Sequence, residues 1–323
     1  MWTSPARAAL AEQLLDVMAG VVRPLGVGGP RTAEVEALGQ ALDRPADNDL
    51  RRLLIDRPAA YLLVTSMRDV GIADLRSAVD AGTRVLCLEP VAAELSELDA
   101  SETPGQPGAI RFLPAFPQSP GLIAAADPAE PHGSPSMVRF SSLGRPEEGS
   151  LFARTLDGWI TALAFCGLPE SVDAQLHQPD GLPRNGIYPR AIAGWLTAHG
   201  RTADGGVVLL EASDRAVVRR RELTVLNAAA DFRVDDTTYR LNPAPTAPQD
   251  QGAPVPTPDL GGDADANPTY VDLIADQWRR WIERPAPPTP PGVTAQALAC
   301  VHACLLSART GQPESPAKLL RLR

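Results

Sequence analysis

The sequence predicts an α/β domain built on a parallel sheet, followed by an α+β domain built on a large, mostly antiparallel open sheet. Residues 61–65 and 84–87 are short, continuously apolar runs, the pattern of strands buried on both faces, and a helix-period segment lies between them. From residue 136 the pattern changes to short strands separated by turn signals, and 323 residues are enough for two domains with cores of their own.

Ser4 is a good N-cap and Pro5 a good first helical residue, and Leu10, Leu14, Val17 and Met18 make the apolar face of the helix they open. Residues 21–28 read as a strand that ends in a glycine turn. After the strand at 61–65, Ile72, Leu75, Ala78 and Val79 share one helix face, and the helix stops at Gly82. The strand at 84–87 follows, closed by Pro90. Strand, helix, strand with short links is a βαβ unit, so the two strands run parallel and the crossover is right-handed. Ligands of such sheets sit beyond the carboxyl ends of the strands, which makes Ser66, Met67, Leu88, Glu89 and Pro90 candidate site residues. Residues 110–113 read as the last strand of the first domain, which sets the domains at 1–113 and 114–323.

In the second domain a short helix is predicted around residues 122–126, a strand at 137–140 and a helix at 151–165. Strands follow at 171–176, 192–199, 206–212, 216–219, 223–227 and 232–234, and Asp235-Asp236 reads as the turn of a hairpin that returns at 237–241. Residues 242–268 are rich in proline and poor in large apolar residues, a loop excursion. Tyr270, Leu273, Ile274, Trp278, Trp281 and Ile282 then make an amphipathic helix, with both tryptophans read as core or interface, and a proline-rich link at 285–291 leads to a last helix at 293–310.

A net charge of -9 and a pI of about 5.0 argue against nucleic acid as a partner. The run Arg219-Arg220-Arg221 falls in a strand-like alternation and reads as a solvated face. No apolar run has the length of a membrane span and no basic-then-apolar leader opens the chain, so no membrane partner is expected and the cytoplasm is the expected location. Four cysteines make no disulfide framework. Cys300 and Cys304 lie at i and i+4 with His302 turned away from them, and Cys87 and Cys166 lie in apolar runs, so all read as core residues and no metal site is expected. His132, His177 and His199 form no triad.

Three segments in order carry a resemblance. Ala81-Gly82 precedes Val85-Leu86-Cys87-Leu88-Glu89-Pro90-Val91-Ala92; residues 149–169 form a helix running from Gly149-Ser150-Leu151-Phe152 to Gly167-Leu168-Pro169; and residues 293–313 end in Ser307-Ala308-Arg309-Thr310-Gly311. In these the chain resembles the Gfo/Idh/MocA family of NAD(P)-dependent oxidoreductases. The resemblance implies a Rossmann-like first domain, a second domain with a large open sheet, and an ancestral hydride transfer.

It also implies losses. The family's lysine in Cys-Glu-Lys-Pro falls on Glu89, and its aspartate, histidine and second aspartate fall on Ala153, Asp157 and Ile160. Asp157 is the one carboxylate left, next to Arg154, and the two read as a surface ion pair. The chain enters its first helix with no Gly-x-Gly-x-x-Gly ahead of it, so the first strand and its glycine turn are expected to be absent. Gly29 stands where the resemblance places an acid that binds ribose.

The positions Ser66, Glu89 and Pro90 are therefore read as vestigial for cofactor binding, and Glu89 and Asp157 as vestigial for catalysis. No cofactor is expected, with NAD(P) the cofactor if the family activity is retained. A catalytically inactive binding or assembly subunit is the main expectation, a homo-oligomer or a partner of an intact homologue through the second-domain sheet. Two alternatives stand beside it: an active oxidoreductase on a sugar or polyol whose coding segment starts upstream of Met1, and a small-molecule sensor or non-redox enzyme using Glu89 and Asp157 in an interdomain cleft; residues 185–190 read equally as a loop over that cleft and as a surface turn.

Overall fold

The structure, a computed structural model, describes residues 1–98, 108–129, 135–179, 181, 188–228, 230–243, 268–283 and 291–322. His132, residues 185–187 of the expected cleft loop, residues 244–267 of the excursion and residues 285–290 of the link lie outside the described residues.

In chain order the elements begin with α1 (Ala8–Val17), β1 (Val27–Gly28), α2 (Ala33–Ala41), β2 (Ala46–Asp47), α3 (Leu50–Asp56), β3 (Tyr61–Val64), α4 (Ile72–Asp80), β4 (Arg84–Cys87) and β5 (Ile110–Phe112). They continue with α5 (Pro120–Ala129), β6 (Met137–Leu143), α6 (Leu151–Cys166), β7 (Ser171–His177), β8 (Trp195–Arg201), β9 (Val207–Ser213), β10 (Arg220–Leu226), β11 (Ala230–Asp235) and β12 (Tyr239–Pro243). Helices α7 (Tyr270–Glu283), α8 (Pro291–Thr310) and α9 (Pro316–Leu320) close the chain. Two compact units result, one of Met1–Pro114 with Thr269–Pro291, the other of Ala115–Pro268 with Gly292–Arg323.

In the first unit β1 pairs with β2, and β3, β4 and β5 pair in turn, all in parallel. Trp2 joins the two groups through parallel bridges to Gly28 and Val64, its N–H donating to Leu63 O at 2.7 Å while Thr3 N donates to Gly28 O at 2.8 Å. The order β2, β1, Trp2, β3, β4, β5 is the doubly wound order with Trp2 in the place of the first strand. The expectation that this strand is absent is thus corrected: residues 1–3 occupy its place, a segment too short to show any periodicity. Gly29 is required beside it, because a Cβ there would lie 2.1 Å from Thr3 O.

The strand read at 21–28 is only Val27–Gly28, since Val21 and Leu25 are exposed and Pro24 has no N–H to pair. α2, β2 and α3 were not legible; α3 is started by the Asp49 carboxylate, which accepts from Arg51 N at 2.9 Å and Arg52 N at 3.2 Å.

Alternation along β3 and β4 sends Leu62, Val64, Val85 and Cys87 to one face, where Leu53, Leu75 and Val79 from α3 and α4 cover them. Leu63, Leu86 and Leu88 point the other way, onto Leu14 and Met18 of α1 and onto Tyr270, Ile274, Trp278 and Trp281 of α7. Both tryptophans are core residues, as read, but of the first unit: α7 follows the second unit's sheet in sequence and completes the first unit's core, a regrouping that the continuous division at residue 113 missed.

The second unit is a seven-stranded sheet in the order β12, β11, β10, β6, β9, β8, β7, antiparallel except where β6 meets β9. Its covered face buries Val138, Phe140, Leu196, Leu210, Leu223 and Val225. α6 lies across β6 and β9 there, and Gly158 allows the approach, since a Cβ would sit 2.7 Å from both Phe140 and Leu210. Residues 216–219, read as a strand, are instead the loop between β9 and β10, with Val217 and Val218 80% and 74% exposed. Among the described residues no helix is long and apolar enough to cross a membrane.

Trp278 is 3% exposed in the first unit's core. W278A is expected to cost about 3–5 kcal/mol and to speed amide exchange in β3 and β4 while β6 and β9 stay protected. Equal loosening of both sheets would contradict the placement of α7.

Candidate functional site

The carboxyl ends of the first unit's strands carry three of the residues singled out from sequence. Ser66 follows β3, half-buried, its hydroxyl accepting from Arg68 N at 3.3 Å in a local turn. Glu89 and buried Pro90 follow β4, whose end is held in register by Leu88 N donating to Val64 O at 2.9 Å. The Glu89 carboxylate is engaged in an ion pair with the guanidinium of Arg7, the side chains being 13% and 8% exposed. Arg7 closes the short 3-10 turn Pro5–Arg7 that leads from the first-strand position into α1. At the ends of the first-strand segment and β3 the hydroxyls of Thr3 and Thr65 pair at 2.7 Å, out of contact with solvent.

Asp157 lies in the second unit, in the middle of α6 and 3% exposed. Its carboxylate accepts from Phe116 N at 2.9 and 3.2 Å and pairs with Arg221 Nη1 at 3.1 Å. Arg221 in turn donates to Asp236 from Nε at 2.7 Å and Nη2 at 2.5 Å, and Arg219 reaches the other oxygen of Asp236 at 2.5 Å. Two readings from sequence are corrected here. Arg154 does not pair with Asp157 on a surface; it is buried and donates to the carbonyls of Gly149, Arg145 and Glu148 and toward the Ser142 hydroxyl, tying down the turn before α6. The Arg219-Arg220-Arg221 run is not a solvated face: Arg220 is exposed, but Arg221 is 7% exposed, because β10 alternates and its second residue points to the covered face.

Burial pushes the Asp157 carboxyl up to about 6, against the opposing pull of Arg221 and the Phe116 amide. Burial also acts to raise Asp236, but Arg221 and Arg219 together hold it below the usual carboxylate range. Arg221 thus serves two carboxylates unequally. Glu89 and Asp157 each pair with an arginine of their own unit.

Cys87, Cys300 and Cys304 are buried, and burial pushes the Cys304 thiol up to about 12 and that of half-buried Cys166 to about 11. Burial raises the Cys300 thiol as well, and Cys166, Cys300 and Cys304 are thiols at neutral pH. His177 and His199 are exposed on strands of the sheet, and among the described residues no three His, Cys, Asp or Glu side chains converge to hold a metal ion.

The residues that sequence reasoning missed are the partners. Arg7 lies 82 positions from Glu89, and Arg221 lies 64 positions from Asp157. No local pattern joins them.

The fold implies a dinucleotide, and the residues present do not fit one held in the usual way. A carboxylate paired to an arginine stands where the resemblance places a free lysine, and the contact of Gly29 with Thr3 O leaves no room for an acidic side chain to meet a ribose.

Two units, one with a parallel doubly wound sheet and one with a large antiparallel sheet, define the fold of NAD-binding oxidoreductases, and the resemblance to the Gfo/Idh/MocA type holds at the level of fold. No family model and no curated protein matches the sequence. Among solved structures the chain is similar to UDP-N-acetylglucosamine 3-dehydrogenase GnnA from Acidithiobacillus ferrooxidans, with a TM-score of 0.65 and 16% identity over 98% of this chain and 97% of that one. It is similar to levoglucosan dehydrogenase in complex with NADH and levoglucosan, with a TM-score of 0.68 and 13% identity over 97% and 98% of the two chains. An oxidoreductase from Agrobacterium radiobacter in complex with NAD+, L-tartaric acid and magnesium matches with a TM-score of 0.67 and 13% identity over 98% of each chain.

The raised Asp157 pKa has a definite sign. A carboxyl at about 6 in the fold and 3.8 unfolded binds its proton more tightly when folded, so its contribution is full below pH 3.8 and is lost as pH rises through 6. Relative to D157N, the wild type is expected to gain ~1–3 kcal/mol in denaturant-measured stability between pH 7 and pH 4. Parallel pH profiles for the two proteins would show that Asp157 does not titrate in this way.

Proposed function

We propose that this chain is a redox-silent protein on an oxidoreductase fold, acting through binding and assembly. The observation that carries the reading is the Arg7–Glu89 ion pair. Hydride transfer in this class needs a bound nicotinamide and a group that handles a substrate proton. The lysine expected at residue 89 is a carboxylate already neutralised, and Asp157, at the position of the family's histidine, is held between Phe116 N and Arg221. Neither carboxylate is poised as a general base.

The assembly part of the proposal rests on the open face of the seven-stranded sheet. Its arginines and acids pair in the plane of the sheet, Arg139 with Glu211 at 3.7 Å, Arg220 with Glu222 at 2.5 Å and Arg233 with Asp231 at 3.3 Å. Half-buried Met137, Leu209 and Leu226 lie among them. On a chain of net charge -9, a face whose charges cancel lets two copies approach without repulsion. Strands ~4.8 Å apart and about 23 Å long give it roughly 800 Å², what each partner contributes to a standard-size interface. The partner proposed is a second copy or an intact homologue presenting the same face.

The likeness to complexes with NADH and NAD+ supports the other reading, a dehydrogenase acting on a sugar or polyol. Calorimetric titration separates the two: the purified chain is expected to show no saturable heat with NAD+ or NADP+, and a micromolar Kd for either would favour the dehydrogenase. Sedimentation equilibrium is expected to give a dimer that the double variant R139E/R233E weakens by about tenfold or more; a monomer at every concentration removes the self-assembly part.

A further inference from the structure

We infer that the Glu89 carboxylate is a tethered anion standing in for a cofactor phosphate in the first unit, clamped there by Arg7. The inference deepens the redox-silent reading and rests on it.

In a doubly wound sheet the phosphates of a dinucleotide meet the turn between the first strand and the first helix, where helix amides and the macrodipole favour negative charge. Here that turn runs from Thr3, bridged to Gly28, through Pro5–Arg7 and into α1. The side chain it presents is a guanidinium, that of Arg7, only 8% exposed. A cation withdrawn from water just ahead of a helix is opposed both by desolvation and by the dipole. An anion at the same place relieves both.

Glu89 is that anion. It comes from 82 residues away, at the end of β4, so the contact is made by the sheet and not by local sequence. Buried Pro90 after it and the Leu88–Val64 hydrogen bond before it fix the backbone that carries the carboxylate. The hydroxyls of Thr3 and Thr65 are engaged with each other. The turn is therefore already liganded from within the chain, by a group of the charge that a phosphate would bring.

It follows that deleting the carboxylate should turn an internal ion pair into an external anion site. Wild type, E89A and R7A/E89A are compared by thermal unfolding and calorimetry with inorganic pyrophosphate as the probe. The wild-type Tm is expected not to move. E89A is expected to melt below wild type, to bind pyrophosphate, and to recover ~4 °C or more at saturation; R7A/E89A should not respond. E89Q, which keeps the side-chain volume, gives the same comparison if E89A does not fold. Pyrophosphate bound by the wild type as tightly as by E89A, or variants at residue 89 whose Tm ignores pyrophosphate, would overturn the inference. NAD(P)-dependent turnover by the wild type, measured without pyrophosphate, would instead overturn the redox-silent reading.

Discussion

A charge taken out of water must meet its opposite, and in this chain that constraint decides what the buried arginines and carboxylates of both units do. Arg7 and Glu89 are each largely buried at the carboxyl ends of the first unit's strands, and neither is tolerable there alone. Their pairing fixes the direction in which the chain leaves the first-strand position and enters α1. It also fills with protein charge the region where an open doubly wound sheet ordinarily receives a ligand. The first unit keeps the architecture of a nucleotide-binding domain while its polar groups face one another.

The second unit obeys the same constraint with more members. Asp157, Arg221, Asp236 and Arg219 alternate in sign across α6, β10 with the loop before it, and the turn after β11, and Phe116 is bound to the group twice, by its amide to Asp157 and by its ring, 5.2 Å from the Arg221 guanidinium. The same ring packs edge-on to Phe140 at 5.2 Å. Asp157 therefore anchors the segment that enters the second unit at Ala115 onto the covered face of the sheet. The Asp157 carboxylate is a structural fastening of this unit, and its high pKa has burial as its main cause.

What was legible in the sequence is what depends on short range. β3, α4 and β4 announce themselves because a strand buried on both faces must be apolar throughout and a crossover helix must show one apolar stripe. α6 was legible through the resemblance carried by residues 149–169, and the structure adds its Ser150 cap. The first-strand position, β1 and β2 were not: pieces of one to two residues acquire extended structure from their neighbours, and no period exists at that length. The site was half legible. Glu89 and Asp157 could be named from position, but a carboxylate's meaning lies in its partner, and Arg7 and Arg221 are brought in by sheet topology from 82 and 64 residues away. Arg154 shows the converse error: it lies at i,i+3 to Asp157, a spacing that allows a pair, but its guanidinium turns back to the carbonyls before α6 while Asp157 meets Arg221 and the Phe116 amide.

These pairings bear on what a lysine, the residue that the resemblance places at position 89, would meet in this fold. At residue 89 of this chain a lysine would face the guanidinium of Arg7, two cations in a place that is about nine-tenths withdrawn from water. Like charges at that separation and depth disfavour each other by several kcal/mol on any reasonable effective dielectric. Relief would require Arg7 to swing out and carry the start of α1 with it, or to be removed as well. The charge at residue 89 and the charge at residue 7 are thus one coupled feature of the fold, and the identity of either side chain has physical meaning only with the other in place.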